Sequence, residues 1–91
     1  MAAIARQVRV TGHVQGVFFR AWTREKAGAL GIVGWVKNCP DGGVEAHLEG
    51  DKAAVDQMVE AMRRGPSGAR VDELSTMDAE PCDFNAFVVR R

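Results

Sequence analysis

One stretch of the chain gathers the residues best suited to chemistry: Gly12-His13-Val14-Gln15-Gly16-Val17-Phe18-Phe19-Arg20. It begins where a strand-like run ends and finishes where a helix-like run begins. A glycine-bearing strand-to-helix turn bunches backbone N–H groups around a hollow at the positive end of a helix dipole, and such a hollow attracts an anion. Arg20 stands at the exit of the turn, and its planar fork matches the oxygens of a phosphate or carboxylate. The residues alone thus describe a phosphate-sized anion site, built from the amides of Gln15, Gly16, Val17, Phe18, Phe19 and Arg20 and from one guanidinium. The same turn also fits a plainer use, in which glycine only supplies backbone freedom. No Gly-Lys-Ser/Thr follows, so it is not a Walker loop, and the G-x-G-x-x-G dinucleotide spacing is absent.

Asn38 is the second candidate. A side-chain amide both donates and accepts, so it can orient a water without bringing negative charge near a phosphate. Its plainer use is as a turn residue that satisfies its own backbone ahead of Pro40. His13 and His47 lack a helical ligand spacing, and Cys39 and Cys82 form no C-x-x-C pair, so neither a metal site nor a catalytic thiol is expected. Glu45, Glu49, Asp72 and Glu73 read as solvated carboxylates. Phe19, Trp22 and Trp35 read as core or sheet-face aromatics, and Phe18 as a packing residue.

The elements that must hold these residues follow from periodicity. Residues 6–11 alternate, with Val8 and Val10 on one face and Gln7, Arg9 and Thr11 on the other, which predicts a half-buried strand. Residues 19–30 predict a helix: Phe19, Trp22, Ala27 and Leu30 share a face, and Thr23, Arg24, Glu25 and Lys26 form the wet side. Gly28 weakens that helix and suggests close packing on a sheet. Gly31 is a helix stop. Residues 32–38 and 44–49 predict a hairpin around Pro40-Asp41-Gly42-Gly43, with Glu45, His47 and Glu49 on its wet face. Asp51 opens a second helix whose stripe is Ala54, Val55, Met58, Val59 and Met62, ended by Gly65-Pro66. Residues 69–74 predict a strand, 75–83 a polar loop and 84–89 a last strand. This order describes an α+β chain: a ferredoxin-like sandwich, βαββαβ plus a short final strand, with an antiparallel sheet and two helices on one face.

At 91 residues a single domain over 1–91 is expected. Hydrophobic residues make up 46%, enough for one core. A formal net charge of zero provides no bulk field for a polyanion, which disfavours nucleic-acid binding. Two cysteines are too few for a disulfide-built secreted scaffold, and the first six residues do not read as a signal peptide. No run approaches the roughly 20 apolar residues of a membrane helix. The expectation is a cytoplasmic protein.

Four blocks, in order, carry a resemblance. Gly12 to Arg20 resembles the G-x-V-Q-G-V-x-F-R signature of the acylphosphatase family. Gly34-Trp35-Val36-Lys37-Asn38-Cys39-Pro40-Asp41-Gly42-Gly43-Val44-Glu45 is similar to that family's G-W-V-x-N-x-x-D-G-x-V-E block. Gly65-Pro66 with Ala69 and Val71 fits its G-P-x-x-A-x-V segment, and Phe87-Val88-Val89-Arg90 its closing F-x-I-R. The resemblance spans nearly the whole chain. It implies hydrolysis of a small-molecule acyl phosphate to a carboxylate and inorganic phosphate, without metal or cofactor. It further implies that Arg20 and the loop hold the phosphate and that Asn38 positions the water. Cys39 stands where many family members have a threonine, which puts in doubt only a secondary ordering contact. A monomer is expected, with no nucleic-acid or membrane partner.

Two other readings compete. A ferredoxin-like binding module would need the arginine but has no use for a positioned water. An RNA-recognition domain would need exposed aromatics on the first and third strands, where Gln7, Arg9, Thr11, Glu45, His47 and Glu49 are expected instead.

Overall fold

The computed structural model describes residues 3–90, so the reading of Met1 and Ala2 as no part of a signal peptide, and the end of the chain at Arg91, lie outside it. The elements are β1 (Ile4–His13), α1 (Phe19–Leu30), β2 (Val33–Asn38), β3 (Val44–Gly50), α2 (Lys52–Arg64), β4 (Arg70–Ala79) and β5 (Phe87–Val89). One five-stranded sheet has the order β4-β1-β3-β2-β5. The β1–β3, β1–β4 and β2–β3 pairs are antiparallel, and the short β5 joins β2 in parallel. Both helices pack on one face, as the ferredoxin-like expectation requires.

Alternation decides which face is core. Val8, Val10, Val36, Ala46 and Leu48 point to the helices and meet Phe19, Ala27, Val55, Met58 and Met62, all nearly or wholly removed from water. At about 25 cal/mol per Å² of apolar surface, such side chains supply the main drive for folding. Gly31 ends α1 in the left-handed conformation (φ 70°, ψ 28°), and its N–H bonds back to the Ala27 and Gly28 carbonyls. Gly34 marks a close approach of β2 to β3: a Cβ there would sit 1.8 Å from the His47 carbonyl oxygen.

Five expectations need correction. Thr23 is fully buried rather than on the wet side of α1. Gly28 is exposed and nothing lies within 4 Å of where its Cβ would be, so it serves no close packing. Gly28→Ala should therefore stabilise the fold by about 0.5–1 kcal/mol, read as a rise in Tm of a few degrees. Residues 75–79 belong to β4, because backbone pairing with β1 extends it to Ala79 despite its polar sequence. The last strand is confined to Phe87–Val89, and residues 80–86 form a segment laid across the sheet face away from the helices.

That segment accounts for the fifth correction. His47 and Glu49 were expected to be wet, yet both are 3% exposed. Trp35 stacks on one side of the His47 ring, and Phe84 tilts against it with centroids 5.4 Å apart. His47 Nε2 and Glu49 Oε1 are 2.7 Å apart, and the Cys82 backbone N–H donates to the same oxygen. Burial by itself would push the Glu49 carboxyl up. The Cys82 N–H, the bond and charge of His47 and the Asp83 N–H outweigh it and hold the carboxyl below its ordinary value. A carboxyl lowered in the folded state adds stability above its unfolded pKa, and loses it as pH falls through the folded value. Thermal unfolding of the wild type should thus steepen on acidification below the ordinary carboxylate range. In Glu49→Gln that part of the pH dependence should vanish.

Candidate active site

The turn between β1 and α1 is built around two positive-φ residues. Gly16 has φ 74°, and Phe18, the residue before α1, has φ 61° and ψ 22°. A bulky residue in this region is strained, and strain of this kind gathers at functional sites. The first N–H groups of any helix lack an intrahelical acceptor. In α1 no side chain caps them, and the first turn holds no acidic residue to compete for an anion.

A cavity of about 320 Å³ opens at this end of α1, lined by Val14, Gly16, Phe18, Phe19, Arg20, Ala21, Asn38 and Val89. It brings together Arg20 and Asn38, which are far apart in sequence, and among the described residues Arg20 is its only charged lining residue. The Arg20 Nη1 donates to the Arg90 carbonyl at 2.8 Å, which fixes one edge of the fork and leaves the other available. The Arg90 segment is itself docked, since its N–H donates to the Val36 carbonyl at 2.8 Å. Asn38 ends β2, and its Oδ1 is buried without a hydrogen-bond partner in the protein. A buried acceptor left unpaired is costly, so this atom calls for a partner. The turn-residue use of Asn38 finds no support: no hydrogen bond joins this side chain to the backbone of the Pro40 turn among the described residues.

Of the loop residues, Gly16, Phe18, Phe19 and Arg20 line the cavity, while Gln15 and Val17 do not. Gln15 instead has a side-chain task that sequence reasoning missed. Its Nε2 donates to the Cys39 carbonyl at 2.8 Å and to the Gly43 carbonyl at 2.9 Å, tying the β1–α1 loop to the hairpin that carries Asn38. Asp41 closes the same hairpin by accepting from the Gly43 N–H, and it pairs with Arg9. Val14 and Val89 are further lining residues. Their apolar character gave no signal beyond packing. Phe18 departs from its expected packing role: its side chain is 86% exposed at the mouth of the cavity. Cys39 is buried, with Sγ 3.5 Å from Arg9 Nη1. His13 lies on none of the cavity walls, and His47 is on the far face of the sheet.

The family profile described as Acylphosphatase matches residues 6–89. An acylphosphatase of Mesorhizobium japonicum is 50% identical over 84 residues, covering 88% of this chain and 89% of that protein. The acylphosphatase structure from Coxiella burnetii superposes with a TM-score of 0.93 at 36% identity, over 97% of this chain and 93% of that one. The crystal structure of the acylphosphatase from Bacillus subtilis superposes with a TM-score of 0.94 at 31% identity, over 97% and 99%. The loop between β1 and α1, the cavity it shares with Asn38 and these likenesses over nearly the whole length lead to one conclusion: the chain belongs to the acylphosphatase family, hydrolases that act on acyl phosphates.

Proposed function

We propose that this acylphosphatase cleaves its substrate in the cavity at the start of α1, with Arg20 and the loop amides holding the phosphoryl group and Asn38 holding the attacking water. The amides of residues 15–20 and the free edge of the Arg20 guanidinium take the non-bridging phosphate oxygens. The Asn38 amide sets a water in line with the bond from phosphorus to the acyl oxygen. The water oxygen then bonds to phosphorus as that P–O bond breaks, and its electron pair leaves on the carboxylate. A phosphate oxygen takes the proton from the water. A carboxylate is a good enough leaving group to depart without a protein acid, so the site needs positioning and charge stabilisation alone. The observation that carries this reading is that Arg20 and Asn38, far apart in sequence, line one cavity at the start of α1.

The reading extends to a metal-independent monomer in the cytoplasm, without nucleic-acid or membrane partners. It is supported by a net charge of zero, by a His47 buried beneath residues 80–86 rather than free to stack a base, and by the absence of any described helix long and apolar enough to cross a membrane. The test is phosphate release from an aromatic acyl phosphate in buffer containing a chelator. Turnover should equal that with added Mg²⁺. Turnover that needs the ion would overturn the metal-free mechanism. An inactive protein that inorganic phosphate still stabilises would be an anion-binding module instead.

A further inference from the structure

We propose a second site, on the sheet face opposite the helices, where His47 Nε2, Glu49 Oε1 and Cys82 Sγ bind a divalent ion of zinc's type. A ring nitrogen of His47, a carboxylate oxygen of Glu49 and the Cys82 sulfur lie within 4.8 Å of one another. Zinc bonds of about 2.0–2.3 Å in a tetrahedron need donors roughly 3.3–3.8 Å apart. The site therefore closes by about 1 Å at the thiol, and the imidazole and carboxylate part by about 0.5 Å. Neither shift disturbs a regular element, because Cys82 lies in the irregular segment 80–86.

The two buried ligands are already organised. His47 and Glu49 are two positions apart on β3, so they share a face, and each side chain is only 4% exposed. Trp35 and Phe84 fix the imidazole plane, and the Cys82 backbone N–H donates to the Glu49 carboxylate, which brings the thiol to the same place. Such outer contacts orient metal ligands and tune them. Cys82 is exposed, and its Sγ contacts only the Glu80 carbonyl, at 3.5 Å. It thus provides the entry path and leaves a fourth position open to water.

The donor chemistry selects the ion. One imidazole nitrogen, one carboxylate oxygen and one thiolate suit Zn²⁺ or Co²⁺, while Mg²⁺ and Ca²⁺ require oxygen ligands throughout. On binding, the ion replaces the proton between Nε2 and Oε1, His47 passes to its Nδ1–H tautomer, and the Cys82 thiol proton goes to solvent. Uptake accordingly strengthens as pH rises. The bound ion would staple segment 80–86 to β3. That segment leads into β5 and Arg90, so the site stiffens the chain's end rather than taking part in hydrolysis.

The test is titration of the reduced, chelator-treated full chain with Co²⁺. The expected result is a thiolate-to-cobalt charge-transfer band in the near ultraviolet, strong tetrahedral visible bands, displacement by Zn²⁺ and a raised Tm. Cys82→Ser, at an exposed position, should fold normally, lose the charge-transfer band and weaken binding at least about tenfold. Glu49→Gln, close to isosteric, should keep the band but bind more weakly. A wild type without the band, or a Cys82→Ser protein that retains it, would overturn the assignment, the latter because the thiolate would then be Cys39.

Discussion

Arg20→Gln is expected to lower kcat/KM for an acyl phosphate by about 10³-fold while leaving Tm within a degree or two of the wild type. Among the described residues Arg20 is the only charged group on the wall of the cavity. Its one hydrogen bond to the protein runs to an exposed backbone carbonyl, that of Arg90, so losing it costs little stability. The loss should appear in substrate and product alike, because the guanidinium is proposed to hold the phosphoryl group both before and after the bond breaks. Inhibition by inorganic phosphate should therefore weaken together with KM. Arg20→Lys keeps the charge but loses the fork, and should recover only part of the activity. If Arg20→Gln kept full phosphate affinity, the loop amides alone would be the anion site, and Arg20 would be an anchor for the Arg90 segment.

Where the sequence was legible, one face of an element met the core and the other met water. β1 and α2 are such elements, and the alternation of Val8 and Val10 and the stripe from Val55 to Met62 placed them correctly. Residues 75–79 were not legible, because β4 is an edge strand whose outer half faces solvent; its pairing with β1 is made by the backbone, which no side-chain pattern records. His47 and Glu49 fit an ordinary wet face until residues 80–86 return from 33 positions away to cover them. A polar pair buried by a distant, irregular segment leaves no local signal. The site divides in the same way. Arg20 and the glycine turn were visible as local chemistry, and the meeting of Arg20 with Asn38 follows from strand order. The Gln15 side chain carries no local sign of its task, because the two carbonyls it bonds lie 24 and 28 positions away. The exposure of Phe18 depends on a left-handed backbone that a phenylalanine rarely adopts.

Asn38→Ala should separate turnover from binding. The side chain is proposed to touch the water and not the phosphate. Its removal should therefore lower kcat by about 10²-fold while KM and inhibition by phosphate stay near wild type. Stability should not fall. Asn38 Oδ1 is buried with no partner in the protein, so truncation leaves no other group unpaired and removes a buried acceptor that the fold itself does not satisfy. This pairing of outcomes is unusual for a half-buried polar residue at a strand end, where a structural role would show as a lower Tm together with weaker binding. Asn38→Asp sharpens the point. It keeps the size and an acceptor but sets a negative charge across the cavity from the phosphate, so it should raise KM where alanine does not. Gln15→Ala provides the complementary case: it loosens the hairpin that carries Asn38 without touching the water, and should lower kcat by less than Asn38→Ala while lowering Tm as well. Unchanged kcat in Asn38→Ala would mean that the water is held elsewhere, with the loop and Arg20 still the phosphate site.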